Sequence, residues 1–124
     1  MLPYIEINDT KNVNIVKIST VGKKIIYMSR MDIPCPFSQD RKLKKHLSII
    51  AFTVSALRKY SHMKKSELEK IESIELLRAL ESGLEIGTFQ ESKESFSVDV
   101  IEDYHRANRY MRDDKVYKRY RLVQ

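Results

Sequence analysis

The chain has 124 residues, 42% of them apolar, and carries 23 Lys and Arg against 17 Asp and Glu for a net charge of +6. This length suits one domain, residues 1–124, with a core that removes about two thirds of the unfolded surface from water, and the apolar share excludes wholesale disorder. The single cysteine, Cys35, excludes an internal disulfide and fits a reducing compartment, and the apolar-dominated run 47–57 is too short to span a bilayer, which takes about 20 residues.

The N-terminus, MLPYIEIND, holds acid early and lacks an apolar signal region, so a cytoplasmic, intracellular protein is expected. Tyr4–Ile7, Val13–Ile18 and Lys24–Met28 are short runs rich in β-branched residues. The breaks at Asp9–Asn12 and Val21-Gly22 suit turns. They predict an N-terminal antiparallel β-meander of two or three strands over 1–33. Pro34 and Pro36 flank Cys35, which makes 31–40 an extended connector. The thiol there is read as half-buried and inert.

Ser38 or Asp40 is a candidate N-cap. Leu43, Leu47, Ile50, Val54 and Leu57 then recur at steps of four and three, predicting a central buried helix with basic ends. Ser66-Glu67-Leu68-Glu69 is a capping box. The apolar face changes near Glu72-Ser73, so a short helix over 67–72 and a second over 74–82, ended by Gly83, are expected. LEIGTFQ and SFSVDV, joined by ESKE, predict a hairpin. The last helix is placed from Asp99 to Asp114 with Val100, Ile101, Tyr104, Ala107 and Met111 inward. Residues 115–124 follow as a strand or tail. The fold class is α+β, in three stretches: the meander (1–33), a helical part (38–100) and a basic helix with tail (99–124).

The order long helix, short helix, turn, short helix, Gly-Leu, hairpin over 41–100 resembles a winged helix-turn-helix. IELLRALESGLEIGTF stands where a recognition helix would run into the wing. The resemblance implies nucleic-acid binding. One departure is that the recognition-helix position carries Glu75 and Glu81 and only Arg78, which leaves phosphate contacts to the basic residues around it.

Charge is striped along the chain. Residues 41–65 hold eight basic and no acidic side chains, 66–103 hold three basic and eleven acidic, and 104–124 hold seven basic and two acidic. Two clusters follow as phosphate contacts: Arg41, Lys42, Lys44, Lys45, Arg58, Lys59, Lys64 and Lys65, then Arg106, Arg109, Arg112, Lys118 and Arg119. Tyr117 and Tyr120 would stack on bases. The bland alternative is that basic and acidic stripes neutralise each other within the fold. His46, His62 and His105 have no metal-ligand spacing, so no metal site is expected. No glycine-rich phosphate loop and no hydrolytic carboxylate pair stands out, so catalytic residues, cofactors and enzyme activity are not expected.

The sequence therefore predicts a small non-enzymatic nucleic-acid-binding protein, DNA or RNA, without a membrane partner. The alternative is a protein-interaction module that forms a homodimer or binds a host protein. Abundant Lys and Ile with scarce Ala hint at an AT-rich source, such as a phage, a virus or a low-GC bacterium.

Overall fold

A computed structural model describes residues 1–8, 11–35, 37, 41–92, 98 and 100–121. The chain forms two compact units, Met1–Lys93 and Glu94–Gln124.

The first unit is a mixed α+β structure built on five strands: β1 (Leu2–Ile7), β2 (Lys17–Val21), β3 (Lys24–Ser29), β4 (Leu43–His46) and β5 (Ile86–Gln90). They close into a barrel in the order β1-β4-β2-β3-β5. β2 and β3 form the expected antiparallel hairpin, with Val21 opposite Lys24. Gly22 turns the chain at φ +56°, in the left-handed region that favours glycine. β1, however, does not continue into a meander. It pairs antiparallel with β4 and parallel with β5.

The predicted strand at 13–18 begins only at Lys17, because the preceding residues turn: Ile15 N donates to Asn12 O at 3.2 Å. The long helix predicted from Ser38 or Asp40 is corrected more deeply. Both caps lie outside the described residues, but Leu43–His46 is a strand with Leu43 opposite Ile7. The helix α1 spans only Val54–Ser61 and buries none of its residues. Tertiary pairing overrides helical spacing here: β4 fills the gap between β1 and β2, and no helix hydrogen-bonds to a sheet edge.

α2 (Glu67–Glu72) starts at Ser66, whose hydroxyl accepts from Glu69 N at 3.4 Å. It ends at Ser73, which adopts φ +52°. α3 (Leu77–Glu81) follows and stops before Gly83 at φ +76°. The break in the apolar face at Glu72-Ser73 was legible because it marks this left-handed residue. Ile74, Leu76, Leu77 and Ala79 from the turn and α3 join Leu2, Ile18, Ile25, Met28 and Ile86 from the strands in one core.

The winged-helix resemblance does not extend to the sheet. β5 pairs with β1 and β3 to close the barrel, where a wing would form its own hairpin. The predicted partner strand over 95–100, like half of the ESKE turn and residues 122–124, falls largely or wholly outside the described residues.

The second unit holds α4 (Ile101–Asp113) and α5 (Lys115–Arg121). Residues expected as strand or tail after Asp114 are helical, because Asp114 accepts from Tyr117 N at 2.7 Å and caps a new helix. The predicted inner face of α4 is not a core face: none of its residues is buried. Among the described residues, no helix is long and apolar enough to cross a membrane.

Candidate functional site

The strongest polar constellation lies at α2 and α3. Lys65, Glu69, Lys70, Ser73, Glu75 and Arg78 line a cleft of about 370 Å³. Glu69 is buried at 4% exposure, although it sits in a helix with solvent on its other side. Arg78 makes this tolerable. Its Nε donates to Glu69 Oε2 at 2.6 Å and its Nη2 to Oε1, a forked pair that satisfies both oxygens. The Arg78 hydrogen bond holds the Glu69 carboxyl below its usual range against the opposing effect of burial. The same bond pushes Arg78 up. Arg78 also lies over the Tyr60 ring at 5.2 Å, while Tyr60 Oη donates to Glu75 O at 3.1 Å. Burial, the largest cause, raises the Tyr60 phenol. Arg78 and Glu69 are thus fixed walls. Lys65, Ser73 and Glu75 are the groups left to face a ligand, with Lys70 shared with Glu67 at 2.6 Å.

The cleft is bolted to the barrel through Glu72. Its carboxylate accepts from Ser29 Oγ at 2.7 Å, Arg30 N at 2.9 Å and Tyr27 Oη at 3.4 Å. Arg30 returns three bonds, from Nε to Glu72 O at 2.7 Å, from Nη2 to Ser73 O at 3.1 Å and from Nη1 to Val13 O at 3.0 Å. Burial and then Glu72 raise the Tyr27 phenol. Lys17 beneath is fully buried. Its Nζ donates to Asn12 O and Ile15 O, each at 2.9 Å, and to Arg30 O, and stands 3.2 Å from Asp32.

Two further features flank this framework. His46, at the end of β4, is half-buried with Nε2 unpartnered among the described residues, and burial lowers its pKa. An apolar groove of about 370 Å³ runs past Ile50, Phe52, Ala56, Leu76, Leu84 and Ile86. Among the described residues, no group of three or more His, Cys, Asp and Glu is placed to hold a metal ion.

The predicted phosphate contacts are scattered over these elements. Arg41 and Lys42 are exposed before β4. On β4 itself, Lys44 is half-buried, donating to Thr20 Oγ1 at 2.6 Å and lying 4.8 Å over the Tyr4 ring, and Lys45 is half-buried beside it. Arg58 and Lys59 stand in the last turn of α1, where the helix dipole favours them. Lys64 is an exposed loop residue, and Lys65 reaches the polar cleft. Arg106, Arg109 and Arg112 belong to α4, and Tyr117, Lys118, Arg119 and Tyr120 to α5, all in the second unit. Arg106 lies 5.8 Å from the Tyr110 ring. Of the fifteen residues named from the sequence, only Lys65 lines the cleft at α2 and α3. Glu69, Ser73, Glu75 and Arg78 were missed because Glu69 and Arg78 sit nine positions apart, on two helices whose angle is a tertiary property. The exposed Cys35 differs from the half-buried thiol expected.

No family model matches the chain. It is 35% identical over 103 residues to a 3-deoxy-manno-octulosonate cytidylyltransferase of Leptospira biflexa, covering 82% of this chain and 42% of that one. The corresponding enzyme of Leptospira interrogans is 35% identical over 113 residues, covering 85% and 46%. That of Rickettsia typhi is 37% identical over 99 residues, covering 80% and 39%. Among solved structures, CMP:2-keto-3-deoxy-manno-octonic acid synthetase complexed with CTP superposes with a TM-score of 0.81 at 26% identity, over 89% of this chain and 47% of that one.

These likenesses overturn four expectations: a non-enzymatic protein, a nucleic-acid regulator or interaction module as its function, a nucleic-acid partner, and a phage or viral character. The relatives are bacterial enzymes named for a nucleotide and a sugar acid. In the fold the basic residues are divided among a strand, loops and helices, and Lys44 is engaged within the first unit by Thr20 and Tyr4. The chain is similar over most of its length to cytidylyltransferases of 3-deoxy-manno-octulosonate, and it spans less than half the length of the relatives it matches.

Proposed function

We propose that this chain is part of an enzyme that transfers a cytidylyl group from CTP to 3-deoxy-manno-octulosonate. The observation that carries the reading is the agreement of sequence and fold with such enzymes across more than four fifths of the chain. In that reaction a sugar hydroxyl oxygen bonds to the phosphorus bearing the nucleoside, and the bond to the departing pyrophosphate breaks. A nucleoside triphosphate donor places the reaction inside the cell.

The cleft at α2 and α3 supports a role on the sugar-acid side. A polyhydroxylated carboxylate needs a cation and several groups that exchange hydrogen bonds. Lys65 and Lys70 supply cations, Ser73 a hydroxyl and Glu75 a carboxylate acceptor. The Glu69–Arg78 pair, whose polar atoms bind each other in the cleft wall, and the Glu72 network hold these positions, so the cleft is organised before binding.

The test is to titrate the full chain with 3-deoxy-manno-octulosonate by NMR, and to follow pyrophosphate release and CMP-sugar formation with CTP present. Saturable sugar-acid binding is expected. Lys65→Gln and Glu75→Gln should each weaken it about tenfold, the loss of one charge-assisted bond. Absence of both binding and product formation with the full chain would overturn the reading.

A further inference from the structure

The cytidylyl reading leaves the basic-aromatic stretch of the second unit unused. α4 ends at Asp113, and Asp114 interrupts the helix with an extended backbone at ψ 124° before α5 begins. This break sets Tyr117 and Lys118 of α5 beside His105, Asn108 and Arg112 of α4. Together with Met111 they line a cleft of about 490 Å³. Positions 105, 108 and 112 are three and four apart and share one face of α4.

The chemistry of this lining is one-sided. Arg112 and Lys118 are cations and donors, while the Asn108 amide, the Tyr117 hydroxyl and a ring nitrogen of His105 can each donate as well. Among the described residues, no carboxylate lines the cleft. Asp113 stands 3.3 Å from Lys118 Nζ at its edge, but both side chains are exposed, and an exposed pair of this kind is weak enough to yield to a more highly charged anion. Several donors converging on one space match a ligand with many oxygens around a small centre. The cleft is open, with all six lining residues exposed, and its extent argues for a small ligand. Arg109, Arg119 and Tyr120, which an extended polymer would also engage, lie outside the lining.

We infer that the α4–α5 cleft binds a small phosphate-bearing anion, a diphosphate or the phosphate chain of a nucleotide. Arg112 and Lys118 neutralise its charge, and His105, Asn108 and Tyr117 donate to its oxygens. The inference stands on the second unit alone and does not depend on the sugar-acid cleft.

Calorimetric titration of the full chain with inorganic phosphate, pyrophosphate and CTP at constant ionic strength tests it, with the His105 ring signals followed by NMR. Pyrophosphate and CTP should bind saturably and shift the His105 signals. Equal affinity for the two assigns the site to a free diphosphate group, and tighter CTP binding assigns it to a nucleotide. The double variant Arg112→Gln, Lys118→Gln should weaken binding at least about tenfold, while Arg109→Gln, Arg119→Gln, which removes the same charge outside the cleft, should change it by about twofold or less. Equal losses in the two double variants would reduce the effect to net charge and overturn the site, as would no saturable binding of any of the three anions. Sugar-acid binding is read at other residues, so its failure leaves this outcome separate.

Discussion

At the scale of single residues, two buried charges define the first unit. Lys17 is fully buried, and its three ammonium protons are spent on three backbone carbonyls with Asp32 alongside. Lys17→Met keeps the stem and removes every donor, so it should destabilise the fold by about 3–5 kcal/mol in urea denaturation. A loss below about 1 kcal/mol would mean that water replaces the ammonium. Glu69 offers a test in pH. Its carboxyl is held below the usual range by Arg78, so the pair stabilises the fold above the unfolded carboxylate pKa of about 4.3 and loses that contribution as pH falls through the lower folded value. Glu69→Gln has no such proton to gain. Its stability should differ most from that of the parent near neutral pH, and the gap should narrow as pH falls below the unfolded carboxylate pKa and through the lower folded one. A gap that stays constant between neutral and acid denaturation curves would contradict the assignment.

At the scale of elements, α1 is the informative case. The spacing of Leu43, Leu47, Ile50, Val54 and Leu57 reads as one helical seam, yet only Leu43 and Leu47 are buried, while Val54 and Leu57 are 69% and 50% exposed. The helix that forms depends on local chemistry more than on packing. Thr53 accepts from Ala56 N at 3.2 Å, and Arg58 and Lys59 complement the C-terminal dipole. Thr53→Ala should therefore cost about 0.5–2 kcal/mol of helix stability, read as loss of helical NMR shifts over 54–61 before global unfolding. α3 is the contrast. Leu77 is fully buried in the core, and Leu77→Ala should cost about 2–5 kcal/mol in global stability.

At the scale of the whole molecule, the barrel is held by pairings far apart in sequence. Leu2 pairs with Thr88, and the Thr88 hydroxyl donates to Leu2 O at 2.8 Å in the interior. α4 has no buried residue. Native-state hydrogen exchange should therefore separate the two units. The β1, β3 and β5 amides should open only with global unfolding, and those of α4 and α5 should exchange through local opening at lower free energy. Uniform protection across both units would contradict this division. The α4–α5 cleft would then gain protection specifically when an anion is added.

By itself the sequence determined what depends on near neighbours. The β2–β3 hairpin follows from β-branched runs around Gly22, the start of α2 from Ser66 and Glu69, its end at Ser73 from a change of apolar face, and the end of α3 from Gly83. Each is settled within a few residues by capping, turn geometry or periodicity. Tertiary structure alone decided what depends on distant partners: Leu43–His46 as a strand, β5 as the closure of a barrel, and the pairing of Glu69 with Arg78. The functional reading was overturned by the likeness to cytidylyltransferases, and it had rested on charge runs alone. Charge density along a chain is a one-dimensional quantity, whereas a binding face exists only after folding has chosen which cations meet and which are paired. The basic stripes at 41–65 and 104–121 were divided among strand, loop and helices, and the candidate sugar-acid cleft was assembled largely from the acidic segment between them.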